Sequence, residues 1–204
     1  MAVHTGATVA AYDRAGLGTS EPGPDSLTPR AEVADIRRAL ERVGAPSRTV
    51  IVGQSYGAML ALAHAALFPG RVPGLVLVDP MNPRFVARER AFLRSTVPDT
   101  TDPQTDRRRV IRRMSRTLSA FSAWLGEREP ALAMPMVIVS ARKDWWGTPA
   151  VDAAWRRSHQ AMAAASSDRR RMVSEGSHHD IPHEDPGIVV SAILGLLAGM
   201  TAAP

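Results

Sequence analysis

The sequence of 204 residues contains no cysteine, which removes disulfides, thiolate metal sites and a cysteine nucleophile and fits a reducing compartment. Long apolar runs are also missing. The longest, from Ile188 to Met200, falls short of the roughly 20 residues that a bilayer span needs. The opening MAVHTGATVAAYDR has no basic segment followed by an apolar stretch, so it does not read as a secretory signal. These features lead to the expectation of a cytoplasmic chain with no membrane partner. Aromatic residues make up only 5% of the chain, and none is interleaved with the arginines clustered at 107–109, 112, 113 and 116 and at 169–171. The formal charge of +5 is therefore read as a solvated basic face, with no nucleic-acid partner expected.

What is present is an ordinary globular composition, 45% apolar and 22% charged, in a length suited to one hydrophobic core. Residues 8–12, TVAAY, form a short apolar run that predicts a strand, followed by the turn-prone DRAGLGTS. A helix is predicted next, with Thr28 as N-cap, Pro29 in first position, an apolar stripe of Val33, Ile36, Leu40 and Val43, and Gly44 as the stop. Unbroken apolar runs at 49–52, 75–78 and 136–139 predict strands buried on both faces, with helices between them and at about 150–165 and 186–200, and a last strand near 171–174. This alternation predicts the α/β class: a mostly parallel sheet flanked by helices. Between Met81 and Met134 the rhythm lapses into an arginine-rich, helix-prone insertion containing the loop-like TVPDTTDPQTD.

The stretch VIVGQSYGAM, residues 50–59, carries the chemistry. A buried strand that turns sharply into a helix at Gly53-Gln54-Ser55-Tyr56-Gly57 has the context of a nucleophile elbow, in which a strained serine is pushed above the sheet edge and only small neighbours fit. Gly53 and Gly57 are expected to meet that demand. The following helix would aim its free N–H groups beside the serine hydroxyl, where an oxyanion would form. The competing possibility is that Ser55 is an ordinary helix cap.

A serine nucleophile needs a base, and the base needs an anionic partner. Candidates follow in the order serine, acid, histidine: Asp144 after the VIVS run, and His178, His179 and His183 in GSHHDIPHEDP. On YDRAGLGTS, VIVGQSYGAM, GLVLVDP, VIVSARKD and SEGSHHDIPHEDP, the chain resembles the α/β-hydrolase superfamily over nearly all of its length outside the insertion. The resemblance implies Ser55 as nucleophile and the backbone N–H of Tyr56 as oxyanion donor. It selects His179 as base, because Ile181 and Pro186 stand at the family's offsets from it, and leaves His178 and His183 as surface residues. It favours Asp144 over Asp79 as the acid, Asp79 then being a turn residue ahead of Pro80. No cofactor and no metal are expected, since the spacing of His178, His179, His183 and Glu184 matches no standard ligand pattern.

The resemblance also implies one domain, with a core of residues 1–80 and 134–204 and a cap of residues 81–133, whose Phe85, Phe92, Phe121 and Trp124 are expected either to line an apolar acyl site or to pack against the core. TVAAYDRAGLG matches the family's fourth strand and the loop after it, so the first three strands and the second oxyanion donor are expected to be missing, as in a truncated chain. The activity implied is hydrolysis of an ester, amide or related acyl bond in a small-molecule substrate. The alternative is a non-catalytic or remnant member of the fold with a ligand-binding or interaction role.

Overall fold

A computed structural model describes residues 7–24, 26–96 and 106–201. Among them, four strands form one parallel sheet in sequential order: β1 (Ile51–Gln54), β2 (Leu75–Val78), β3 (Met136–Ala141) and β4 (Arg169–Ser174). Gln54 pairs with Val78, Val78 with Val139, and Ala141 with Ser174, so the strand ends are level at the carboxyl edge. The helices are α1 (Pro29–Arg42), α2 (Tyr56–Leu67), α3 (Pro83–Arg88), α4 (Arg90–Thr96), α5 (Asp106–Gly126), α6 (Pro149–Ala163), α7 (Ile181–Glu184) and α8 (Pro186–Thr201). No helix among the described residues is long and apolar enough to cross a membrane.

The unbroken apolar runs do sit at the centre. In β2 and β3 every residue is buried, and their side chains divide by the strand period of two. Leu75, Leu77, Met136 and Ile138 face one cluster with α2 and α6, while Val76, Val78, Val137 and Val139 face the other with Ile181 and Leu196. The strand β1 departs from this expectation: Val52 is 44% exposed, because β1 is the edge of the sheet among the described residues. Helix α1 is built as its sequence indicates, with the Thr28 hydroxyl accepting from Ala31 N–H at 3.2 Å and Gly44 in the left-handed region. Its stripe is shorter than predicted, since Val33 is buried but Val43 is 57% exposed.

The strand expected at residues 8–12 is absent. Residues 7–14 have no regular structure, and Val9 and Tyr12 are exposed. A run of β-forming residues becomes a strand only when a neighbour satisfies its backbone donors and acceptors, and nothing among the described residues pairs with it. The insertion between β2 and β3 is helical where described, consisting of α3, α4, α5 and a short 3-10 turn at Glu129–Ala131; of the predicted TVPDTTDPQTD loop, residues 97–105 lie outside the described residues. Phe85 and Phe121 join the buried core rather than lining an open wall.

The base of the sheet is tied by a buried ion pair. Arg169, at the start of β4, pairs with the Glu129 carboxylate and donates to the Glu129 carbonyl oxygen at 2.9 Å. Both side chains are almost fully covered. A buried pair of this kind adds little over an apolar substitute, but removing one partner strands the other charge in a dry site. Replacing Glu129 by alanine is therefore expected to lower the unfolding free energy in urea by about 3–5 kcal/mol, whereas removing Glu41 from its exposed pair with Arg37 costs at most about 0.5 kcal/mol.

Candidate active site

The strand β1 ends at Gln54, and the next residue turns the chain without forming a strand or a helix. Ser55 has φ 53° and ψ −120°, a left-handed conformation that costs a non-glycine residue on the order of 1–3 kcal/mol. It is held there from both sides. Its N–H donates to the Val78 carbonyl at 3.0 Å, and its own carbonyl accepts from Met81 N–H at 3.1 Å and Ala58 N–H at 3.1 Å. Ser55 stands at the N-cap of α2, but its hydroxyl makes no capping bond to the helix. Tyr56 is the first residue of α2, and its N–H has no acceptor within the helix.

The two glycines of the elbow have different roles. A Cβ on Gly53 would stand 2.5 Å from the Gly57 carbonyl oxygen, so the turn can form only with glycine there. A Cβ on Gly57 would meet nothing within 4 Å, which corrects the expectation that both positions are sterically restricted.

The strand β2 ends beside Ser55, and its next residue, Asp79, also has a left-handed φ, 40°. Asp79 is completely buried. Its Oδ2 lies 2.7 Å from His179 Nδ1 and accepts from Trp155 Nε1–H at 2.9 Å, while its Oδ1 accepts from the Ala141 backbone N–H at 3.0 Å. A carboxylate can be buried when donors of this number and strength replace its water. With Nδ1 of His179 committed to Asp79, its Nε2 is the nitrogen available to a substrate or nucleophile.

His179 is anchored to the elbow as well, because the Gln54 side-chain amide donates to the His179 carbonyl oxygen at 2.8 Å. The residue before Ser55 therefore grips the histidine backbone, and the residue facing Ser55 across the sheet grips its ring. Among the described contacts the Ser55 hydroxyl and the His179 ring are not directly hydrogen-bonded; the link between them runs through Gln54 and Asp79. His178 and His183 lie at the surface, paired with Glu184 and Asp180.

The carboxylate expected to reach the histidine from the loop after β3 does not meet its ring. Asp144 is exposed and forms an ion pair with Arg156 of α6, and the carboxylate on His179 is Asp79. The reason lies in the loop. Asp152, buried in the first turn of α6, accepts from the N–H groups of both Trp145 and Trp146 at 3.0 Å. That fastening directs Trp145 onto the His179 ring, with centroids 4.0 Å apart and planes 11° from parallel.

Two further groups support the site. Beneath Asp79, the fully buried His159 has its pKa lowered to about 4, first by desolvation. It is a neutral spacer between Ser140 Oγ at 3.2 Å and the Pro80 carbonyl at 2.9 Å. On the other side of the elbow, the Tyr56 hydroxyl donates to Glu32 at 2.8 Å, and Arg14 of the DRAGLGTS turn pairs with the same carboxylate at 2.8 Å. Burial and the adjacent Glu32 carboxylate hold the Tyr56 phenol far above its usual pKa, so it stays a neutral donor. Nothing in the local sequence marks His159; the signal for the second group is Glu32, an acidic residue beside the apolar stripe of α1.

These contacts separate two substitutions that look alike in the sequence. Gly53→Ala is expected to lower stability by about 1–3 kcal/mol, the range of a forced steric overlap in a packed site. Gly57→Ala removes a glycine from a helix and is expected to raise stability by about 0.5–1 kcal/mol. Urea unfolding of the two variants measures both.

The chain is 24% identical over 185 residues to the uncharacterized protein YqjL of Bacillus subtilis, covering 89% of this chain and 70% of that protein. Among solved structures it resembles a thermophilic esterase from Thermogutta terrifontis, with a TM-score of 0.60 at 23% identity over 92% of this chain and 78% of the other. It likewise resembles an esterase from Exiguobacterium antarcticum, with a TM-score of 0.60 at 16% identity over 90% and 78% of the two chains. Residues 2–167 match the family described as alpha/beta hydrolase fold; with its parallel sheet and strained serine between β1 and α2, the chain belongs to that family.

Proposed function

We propose that this chain is a serine hydrolase that cleaves an ester, amide or related acyl bond of a small molecule, with Ser55, His179 and Asp79 as its reacting triad. The observation that carries this reading is the junction at the carboxyl edge of the sheet: a serine in a left-handed turn after β1, level with the buried carboxylate after β2, which lies 2.7 Å from His179 Nδ1. Fold family and the esterases among the structural relatives agree with it.

In the proposed cycle the Ser55 oxygen attacks the acyl carbon while its proton passes to Nε2 of His179. Asp79 fixes the tautomer of the ring and balances the imidazolium that results. The Tyr56 N–H, at the positive end of α2, donates to the oxyanion. The tetrahedral intermediate then expels the leaving group, which takes the proton from Nε2. Water, deprotonated by the same nitrogen, attacks the acyl-enzyme, and the acid product leaves with Ser55 regenerated. No step calls for a cofactor.

Asp79 takes the place that the sequence assigned to Asp144, and the difference is measurable. With an aryl ester, Asp79→Asn is expected to lower kcat by about 10³–10⁴, the scale of losing the carboxylate that sets a triad's tautomer. Asp144→Asn is expected to stay within about threefold of the parent, because its carboxylate serves an exposed ion pair. A fluorophosphonate probe should label the protein at Ser55, and labelling that survives Ser55→Ala would contradict the mechanism.

The reading of a non-catalytic fold member retains one observation in its favour: β1 is an exposed edge among the described residues, with Val52 at the surface. The same probe separates the two, since a binding protein without a competent elbow does not react at Ser55.

A further inference from the structure

The loop after β3 was expected to bring a carboxylate to the histidine, and it brings an indole instead. Trp145 lies face to face with His179 at 4.0 Å and 11°. Trp155 meets the same ring edge-on at 5.9 Å and 72° while its Nε1–H holds the Oδ2 of Asp79. Trp145 itself is fixed in three ways: its backbone N–H donates to Asp152, its ring contacts Trp146 at 4.1 Å, and it stands at 79° to Trp155 at 5.7 Å.

We propose that Trp145 is a positioning residue for His179, its indole face keeping the imidazole plane aligned with Asp79 and stabilising the imidazolium that forms when Ser55 gives up its proton. The π-face of an indole is the strongest of the side-chain rings at attracting a cation within about 6 Å of its centroid. The ring stack is therefore worth more once His179 is charged than while it is neutral, and a difference of that kind lowers a barrier rather than merely tightening binding.

Among the described residues, no other group near the ring supplies this support. Asp79 meets the ring at Nδ1, 2.7 Å away. His159 lies 3.7 Å from the far oxygen of Asp79 and is held neutral by burial. The flanking residues are occupied elsewhere, His178 with Glu184 and Asp180 with His183, and Arg156, the cation on the adjacent helix, is taken by Asp144. Gln54 touches the histidine backbone alone.

The role of Ser55 as proton source rests on the hydrolase reading, but the test has a readout that does not. The His179 ring can be followed by NMR titration in a Ser55→Ala background, assigned by comparison with His179→Gln. In that background Trp145→Leu is expected to lower the His179 midpoint by about half to one pH unit. In the active protein the same substitution should move the acidic limb of the kcat/KM profile for an aryl ester downward by a similar amount. It should reduce kcat about 5- to 10-fold, with KM within twofold. Trp145→Phe, which keeps a ring, should shift the midpoint by less in the same direction, and it carries the test if the leucine variant does not fold. A midpoint that stays put or rises in a folded variant overturns the proposal, a rise meaning that the indole acts only by excluding water. A lowered midpoint in a protein whose parent hydrolyses no ester leaves the support of the imidazolium standing and removes the hydrolase reading.

Discussion

The buried carboxylate of Asp79 is the constraint around which the rest of the site is arranged. It sits at the end of a strand whose every residue is buried, where an unpartnered charge would be intolerable. Three donors converge on it from separate parts of the chain: the ring of His179 after β4, the indole of Trp155 on α6, and the backbone of Ala141 at the end of β3. Each donor thereby acquires a fixed place. The carboxylate draws together segments that are remote in sequence, and it does so at the rim where Ser55 turns.

The same rim stores backbone strain in two neighbouring residues. Ser55 and Asp79 are the non-glycine residues with positive φ among the described residues, and they follow the paired ends of β1 and β2. Each is tied into the sheet ladder, Ser55 N–H to Val78 and Asp79 N–H to Val139. Strain of this kind persists only where surrounding structure over-determines it. Here the tightly packed strands and the close passage of Gly53 against Gly57 provide that determination. The sheet thus holds the backbone of Ser55, the Asp79 carboxylate and, through the carboxylate, the His179 imidazole at one edge.

The central architecture was legible because parallel strands covered on both faces leave a distinct trace: LVLV and MVIVS have no polar alternation, and both are interior strands. The sharp turn at Ser55 was legible from the close spacing of glycines between strand and helix, and the family resemblance singled out His179, whose ring lies on a buried carboxylate. The acid was not. Asp79 and Asp144 each end a strand in sequence, and local pattern cannot say which carboxylate turns inward. The choice is made by Asp152 seven residues beyond Trp145, whose bonds to two backbone N–H groups swing the indole in and leave Asp144 to Arg156. The segment 8–12 failed for a complementary reason. Strand propensity is a statement about a pairing partner, and the sequence of one segment does not contain its neighbour.

The pairing of His179 with Asp79 can be observed without a substrate. A histidine Nδ1 proton shared with a buried carboxylate resonates far downfield in the proton NMR spectrum, apart from all other signals. Such a resonance is predicted in the parent protein and in Asp144→Asn, and its loss is predicted in Asp79→Asn. A downfield proton that survives the loss of the Asp79 carboxylate and disappears with that of Asp144 would contradict the account.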